Sequence, residues 1–251
     1  MKSQRNLGET KTVPKETKEV NGHQGSAVSS LSDFILGSQD GLVNVLGIIL
    51  GMSAATSNVR LILVATLAAL GAESVSMGAV AYTSTLEKRR LYLSAVDRET
   101  KRLKEIHSMG YDEALNALVL MGWGLRGKEL EEAARRIAAN PQAMLDLMMS
   151  YGLKMSPVGK GEARHSFLVV LAATFVGSAI PIIPLILSGG NVVAGAIGAV
   201  ALSGVILFFI GWYGAKVTVG SVWRSGLQML VIGLTAGFAG FLIGHFLGAP
   251  P

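Results

Sequence analysis

Between residues 165 and 251 the only charged side chains are Lys216 and Arg224, and between 34 and 86 only Asp40, Arg60 and Glu73. Few folds accept so little charge over so much chain. Residues 86–163, by contrast, hold 13 Lys/Arg and 11 Asp/Glu. A bilayer core of about 30 Å needs roughly 20 apolar residues per helical crossing. Five runs reach that length, at about 33–57, 60–86, 165–188, 191–215 and 225–248. In hydrocarbon a backbone must satisfy its own polar groups, so each run is expected as a helix. The expected fold is an all-α integral membrane protein. It has five transmembrane helices and a small helical cytosolic domain between the second and third.

The division that follows is a disordered cytosolic tail over 1–30, helices 1–2 over 31–86, the inserted domain over 87–163 and helices 3–5 over 164–251. The tail is polar and cannot bury enough apolar surface to order itself. Lys and Arg favour the cytosolic side, which places the tail, the insert and the 216–224 loop there and the C-terminus on the opposite side. Glycines recur in the fourth and fifth runs, among them Gly195, Gly204 and Gly211, then Gly233, Gly237, Gly240, Gly244 and Gly248. Small residues at such spacing let helix backbones approach closely. Pro181 and Pro184 in AIPIIPLIL predict a kink in the third run. In the insert, residues 86–107 continue the second helix and Gly110 ends it. DEALNALVLMGWGL and KELEEAARRIAAN read as helices, and Pro141 fits the first position of another.

Composition excludes several classes of function. The chain has no cysteine, hence no disulfide, Cys-ligated zinc or thiol nucleophile. Its four histidines lack close metal-ligand spacing. The net charge of +5 comes from basic residues diluted by acids, without interleaved aromatics, so no nucleic-acid partner is expected. No Ser/His/Asp arrangement, phosphate loop or cofactor motif is present, so neither an enzyme nor a bound cofactor is expected.

An acid such as Asp at mid-helix in a membrane costs about 2.5–3.5 kcal/mol on insertion scales, so such a residue usually faces a cavity or a partner. Asp40 and Glu73 are the only acids well inside the runs. Asp33 lies at a run's edge, where a helix N-cap is expected. Glu73 and Met77 in GAESVSMGAVAY share a helix face, and the same stripe carries Ala69 and Ala81. Carboxylate oxygen suits hard cations and a thioether tolerates softer ones, so the pair suits a borderline divalent ion such as Fe²⁺. In the insert, Glu105 and Glu113 flank a helix break, and Met148 and Met149 are adjacent.

Four stretches, in order, resemble the vacuolar iron transporter family: DFILGSQDGLVNVLGIILGMSAA, SVSMGAVAYTSTLEKR, NPQAMLDLMMSYGL and AIPIIPLIL. The resemblance covers residues 31–248, and the DGLVN form is similar to a prokaryotic branch. It implies a homodimer that moves Fe²⁺, and Mn²⁺ in many members, out of the cytosol in exchange for protons. The membrane would be the cell membrane in a prokaryote and the vacuolar membrane in a eukaryote. It further implies that Asp40 and Met77 line the path, and that Glu105, Glu113, Met148 and Met149 belong to a cytosolic metal site. The chain departs from the family's pattern in several places. A path carboxylate common two turns before the Met is Ala69 here, with Glu73 one turn before it. Two further family glutamates of the cytosolic site are Arg102 and Asn116, and Ser150 follows the methionines instead of a glutamate. Two rival readings remain at this stage. One is the same fold carrying another divalent or an organic cation, and the other is a non-transporting receptor or scaffold.

Overall fold

The computed structural model describes residues 16–105, 110–122, 124–218 and 220–248. These residues contain helices and no strand. Helix α1 is Glu16–Ala55, α2 Val59–Glu105, α3 Gly110–Met121, α4 Lys128–Ala138 and α5 Pro141–Leu147. A π-helical turn, Met148–Gly152, follows α5. Then come α6 Glu162–Ala179, α7 Ile182–Leu187, α8 Val192–Val217 and α9 Val222–Leu247. Five stretches are long and apolar enough to cross a membrane: Ser30–Ala55, Val59–Leu103, Glu162–Leu187, Val192–Val217 and Val222–Leu247. The protein is therefore a five-span, all-α membrane protein. It divides into two compact units, Met1–Ala79 with Ser166–Pro251, and Val80–His165.

Local sequence sets the helix boundaries. Asn58 caps α2 through Oδ1, which accepts from the amides of Arg60 at 3.0 Å and Leu61 at 3.3 Å. Asn191 caps α8 by accepting from the Ala194 amide at 3.0 Å. The turn before it requires glycine, because Gly189 and Gly190 have φ of 60° and 99°. Helices α6 and α7 are two parts of one span, broken at Pro181, as the proline pair predicts. Two buried hydroxyls of α2 bond to their own helix. Thr66 donates to the Ile62 carbonyl at 2.9 Å and Ser74 to that of Leu70 at 2.7 Å.

One boundary differs from the sequence-based expectation. Helix α1 begins at Glu16, so residues 16–30, expected as part of a disordered tail, are helical; residues 1–15 lie outside the described residues. Once the apolar run has nucleated a helix, each further residue adds a hydrogen bond at little extra cost. Asp33 consequently sits inside the helix and caps nothing. Its carboxylate instead accepts a hydrogen bond from the Ser166 hydroxyl of α6.

In the membrane unit, Val45, Leu46 and Ile49 of α1 pack with Ile62 and Leu70 of α2, Ile182 and Leu185 of α7, and Val192 and Ala199 of α8. Glycines carry the closest approaches. A Cβ on Gly51 would lie 2.9 Å from the Gly240 carbonyl oxygen, and one on Gly244 would overlap the Gly51 carbonyl. Lipid tails are as apolar as these side chains, so packing of this kind holds the helices together.

The second unit has its own core of Ala114, Leu118, Ala134, Met144 and Leu147. Helix α5 begins with Pro141, after Asn140, whose side chain accepts from the amides of Gln142 and Ala143. Asn140→Ala removes this cap. We expect it to cost α5 about 1 kcal/mol, read as faster amide exchange confined to residues 142–147.

Candidate functional site

Asp40 and Asn44 are four residues apart on α1, and Glu73 and Met77 four apart on α2. Each pair therefore shares a helix face. Glu73 stands fourteen residues after Val59 and fourteen before Glu87, so ~21 Å of helix lies on either side. The carboxyl is thus at mid-membrane depth.

The two helices bring their polar groups together at that level. The Asn44 side-chain amide donates to Glu73 Oε1. The carboxyl of Asp40 is close enough to that of Glu73 for the two to interact electrostatically. Residues 62, 66, 70, 74 and 78 form the buried seam of α2, and the stripe of Ala69, Glu73, Met77 and Ala81 is partly buried beside it. Gly78 keeps α2 close to α6, since a Cβ there would lie 3.1 Å from both Leu171 Cβ and Phe167 Cε2.

From Asn44 a groove of about 460 Å³ runs along α1 and α9. Its floor is glycine-rich, with Gly47, Gly51, Gly240, Gly244 and Gly248, and Met52 and Ala55 lie toward its far end. The same glycines that let α1 and α9 approach also leave this surface unfilled by side chains. Asn44 and Ala55 are eleven residues apart, which is ~16 Å along the helix. The groove therefore covers roughly half the thickness of the bilayer core.

Sequence reasoning named Asp40, Glu73 and Met77 but passed over Asn44 and Met52. Asn44 carried a signal in its spacing, four residues after Asp40 within DGLVN. Met52 carried none beyond its place in an apolar helix, where methionine is ordinary filler.

The insert presents a different picture. Arg102 pairs with the carboxylate of Glu113 and lies 3.4 Å from that of Glu99, which is buried. Met149 is buried, and Met148 packs against the unit's core. The side chain of Glu105 lies outside the described residues. Among the described residues no group of three or more His, Asp or Glu side chains is placed to hold a metal ion. The Arg102 guanidinium occupies the neighbourhood of Glu113 that a cation would otherwise take. Arg102→Glu would leave three carboxylates where there is now one ion-paired cluster. We expect the variant to bind Mn²⁺ or Co²⁺ with a higher stoichiometry than the parent protein, read by calorimetry.

The family model of the VIT family matches residues 31–245. The chain is 30% identical over 218 residues to a vacuolar iron transporter cccA of Arthroderma benhamiae, covering 82% of this chain and 76% of that one. It is 27% identical over 215 residues to a vacuolar iron transporter 1 of Arabidopsis thaliana, covering 84% and 83%. A vacuolar iron transporter 2 of Oryza sativa subsp. japonica is 29% identical over 210 residues, covering 83% and 84%. A family match across 215 consecutive residues that takes in all five spans leaves one assignment: the chain belongs to the VIT family, and is a membrane transporter and not an enzyme.

Proposed function

We propose that this protein carries Fe²⁺, and Mn²⁺ as a second substrate, out of the cytosol in exchange for protons. The observation that supports this reading best is the cluster of Asp40, Asn44 and Glu73 at mid-membrane depth, at the mouth of a groove. Two neighbouring carboxyls can share a proton, and the same oxygens can hold a cation in its place. Metal and proton then compete for one site, because a carboxylate must be deprotonated to act as a ligand. Met77, one turn from Glu73, adds a soft donor that favours Fe²⁺ over Mg²⁺ and Ca²⁺.

The protein works as a homodimer in this reading. Asn44 is exposed on the membrane unit, and against acyl chains the part of its amide not bonded to Glu73 would have no polar partner. A second copy laid over the groove would shield Asn44 and close the groove into a path. The excess of Lys and Arg in 1–30, 87–163 and 216–224 orients these segments to the cytosol, with the C-terminus opposite. Glu113, Met148 and Met149, with Glu105, belong in this reading to an ion-receiving site whose capacity the Arg102 pair reduces.

The test is Fe²⁺ flux into proteoliposomes under an imposed pH gradient. Uptake that follows the gradient, and alkalinises the compartment the metal enters, supports exchange. Uptake indifferent to the gradient would sink the coupling. One observation favours a second reading. The Arg102–Glu113 pair removes a carboxylate from the metal-receiving set, as expected if the same fold serves a different divalent ion. Competition of Zn²⁺ and Co²⁺ against Fe²⁺ in the same assay separates the two. A protein that moves no ion would be the receptor or scaffold instead.

A further inference from the structure

The second unit contains a cavity unrelated to the carboxyl cluster. It has a volume of about 330 Å³ and is lined by segments 82–89 and 158–164. Arg89, Lys160 and Arg164 bring three cationic side chains to it, and Tyr82 and Thr85 bring hydroxyls. Of the acids nearest in sequence, Glu87 is engaged by Arg90, 3.5 Å away, and the Glu162 carboxylate lies against the lining residue Gly159, on the loop before α6. Among the described residues none of the three cations has a carboxylate partner. Three positive charges around one cavity, against the single carboxylate of Glu162 beside Gly159, leave a net positive charge that attracts an anion.

The position of the cavity in the chain narrows the choice of anion. Segment 82–89 is where the apolar run of α2 gives way to charge, and segment 158–164 is where α6 begins its span. Both linings therefore fall at the junction of membrane and water, the level of lipid headgroups. Basic pockets beside membrane helices at this level suit anionic headgroups. A tyrosine on the rim is typical of the same level. Gly159 and Gly161 keep the loop free of side chains that would fill the space.

We propose that this cavity binds the phosphate group of an anionic membrane lipid, held by Arg89, Lys160 and Arg164. The site is separate from the transport path, and its test does not depend on flux. The full chain is reconstituted in nanodiscs of phosphatidylcholine with phosphatidylglycerol or phosphatidic acid, extracted into neutral detergent, and examined for retained lipid by native mass spectrometry. We expect the parent protein to keep the anionic lipid through extraction. The triple variant Arg89→Gln/Lys160→Gln/Arg164→Gln should retain it roughly ten- to hundredfold less. A control, Arg98→Gln/Lys128→Gln/Arg135→Gln, removes the same charge from exposed positions outside the cavity and should retain lipid like the parent. Equal retention by the cavity variant, or equal loss in the control, would overturn the proposal. Inorganic phosphate at millimolar concentration is the third arm. If it displaces the lipid and raises the melting temperature as much as the lipid does, the ligand is a soluble phosphate and the lipid assignment fails. If the triple variant does not fold, Arg89→Lys/Arg164→Lys decides the matter. Retention by this charge-conserving pair supports the site and its loss overturns it.

Discussion

Glu73→Gln is expected to reduce Fe²⁺ uptake in proteoliposomes by more than roughly a hundredfold, since even outer-shell changes at metal sites cost 10–100-fold. The amide keeps the size of the carboxyl and can still bond to Asn44, so the helices should stay in place. What it loses is the negative charge and the exchangeable proton. The variant should therefore melt like the parent in detergent while failing to transport. Asp40→Asn leaves Glu73 as the sole acid at that level and should fail in the same way. Ala69 and Ala81 flank Glu73 on the stripe and offer no substitute carboxylate. Undiminished transport by both variants would refute the proposed site.

The second large effect concerns packing. Gly244→Leu would drive a side chain into the Gly51 carbonyl, a backbone atom that cannot rotate away. Overpacking of side chains against side chains costs about 1–3 kcal/mol, and here helix backbones must separate, so about 3 kcal/mol or more is expected. Gly71→Ala is the counter-case, because a Cβ there meets nothing within 4 Å. It should be neutral or stabilise α2 by up to about 1 kcal/mol through helix propensity. Thermal melting and size-exclusion profiles in detergent report both. A Gly244→Leu protein that melts with the parent would show that α1 and α9 do not depend on this contact.

The five spans could be read from the sequence because hydrocarbon imposes a single rule on every backbone group, and apolar length alone satisfies it. The break at Pro181 was readable for the same local reason. The start of α1 was not, since residues 16–30 are polar and become helical by extension from the apolar run. Asp33 was misread along with that boundary. A residue taken as the first of a helix looks like a cap, and inside a helix it has to seek a partner on another one. Asp40 and Glu73 stood out because acids are rare in spans. Their convergence with Asn44 depends on the register of α1 against α2, which no local pattern encodes. The engagement of Glu113 by Arg102 is likewise a tertiary fact, between residues eleven apart across a helix break.

Asn44 has a consequence for charge balance. Of the three polar side chains gathered at mid-membrane, only Asp40 and Glu73 can lose a proton, so the cluster's charge ranges from zero to minus two. An amide supplies an oxygen or a donor at constant charge. Full deprotonation therefore balances one divalent ion and leaves a trivalent ion under-compensated by a whole unit. Asn44→Asp would widen the range to minus three and put an uncompensated carboxylate next to lipid. With an amide at position 44, the protein sets the valence its membrane segment can neutralise.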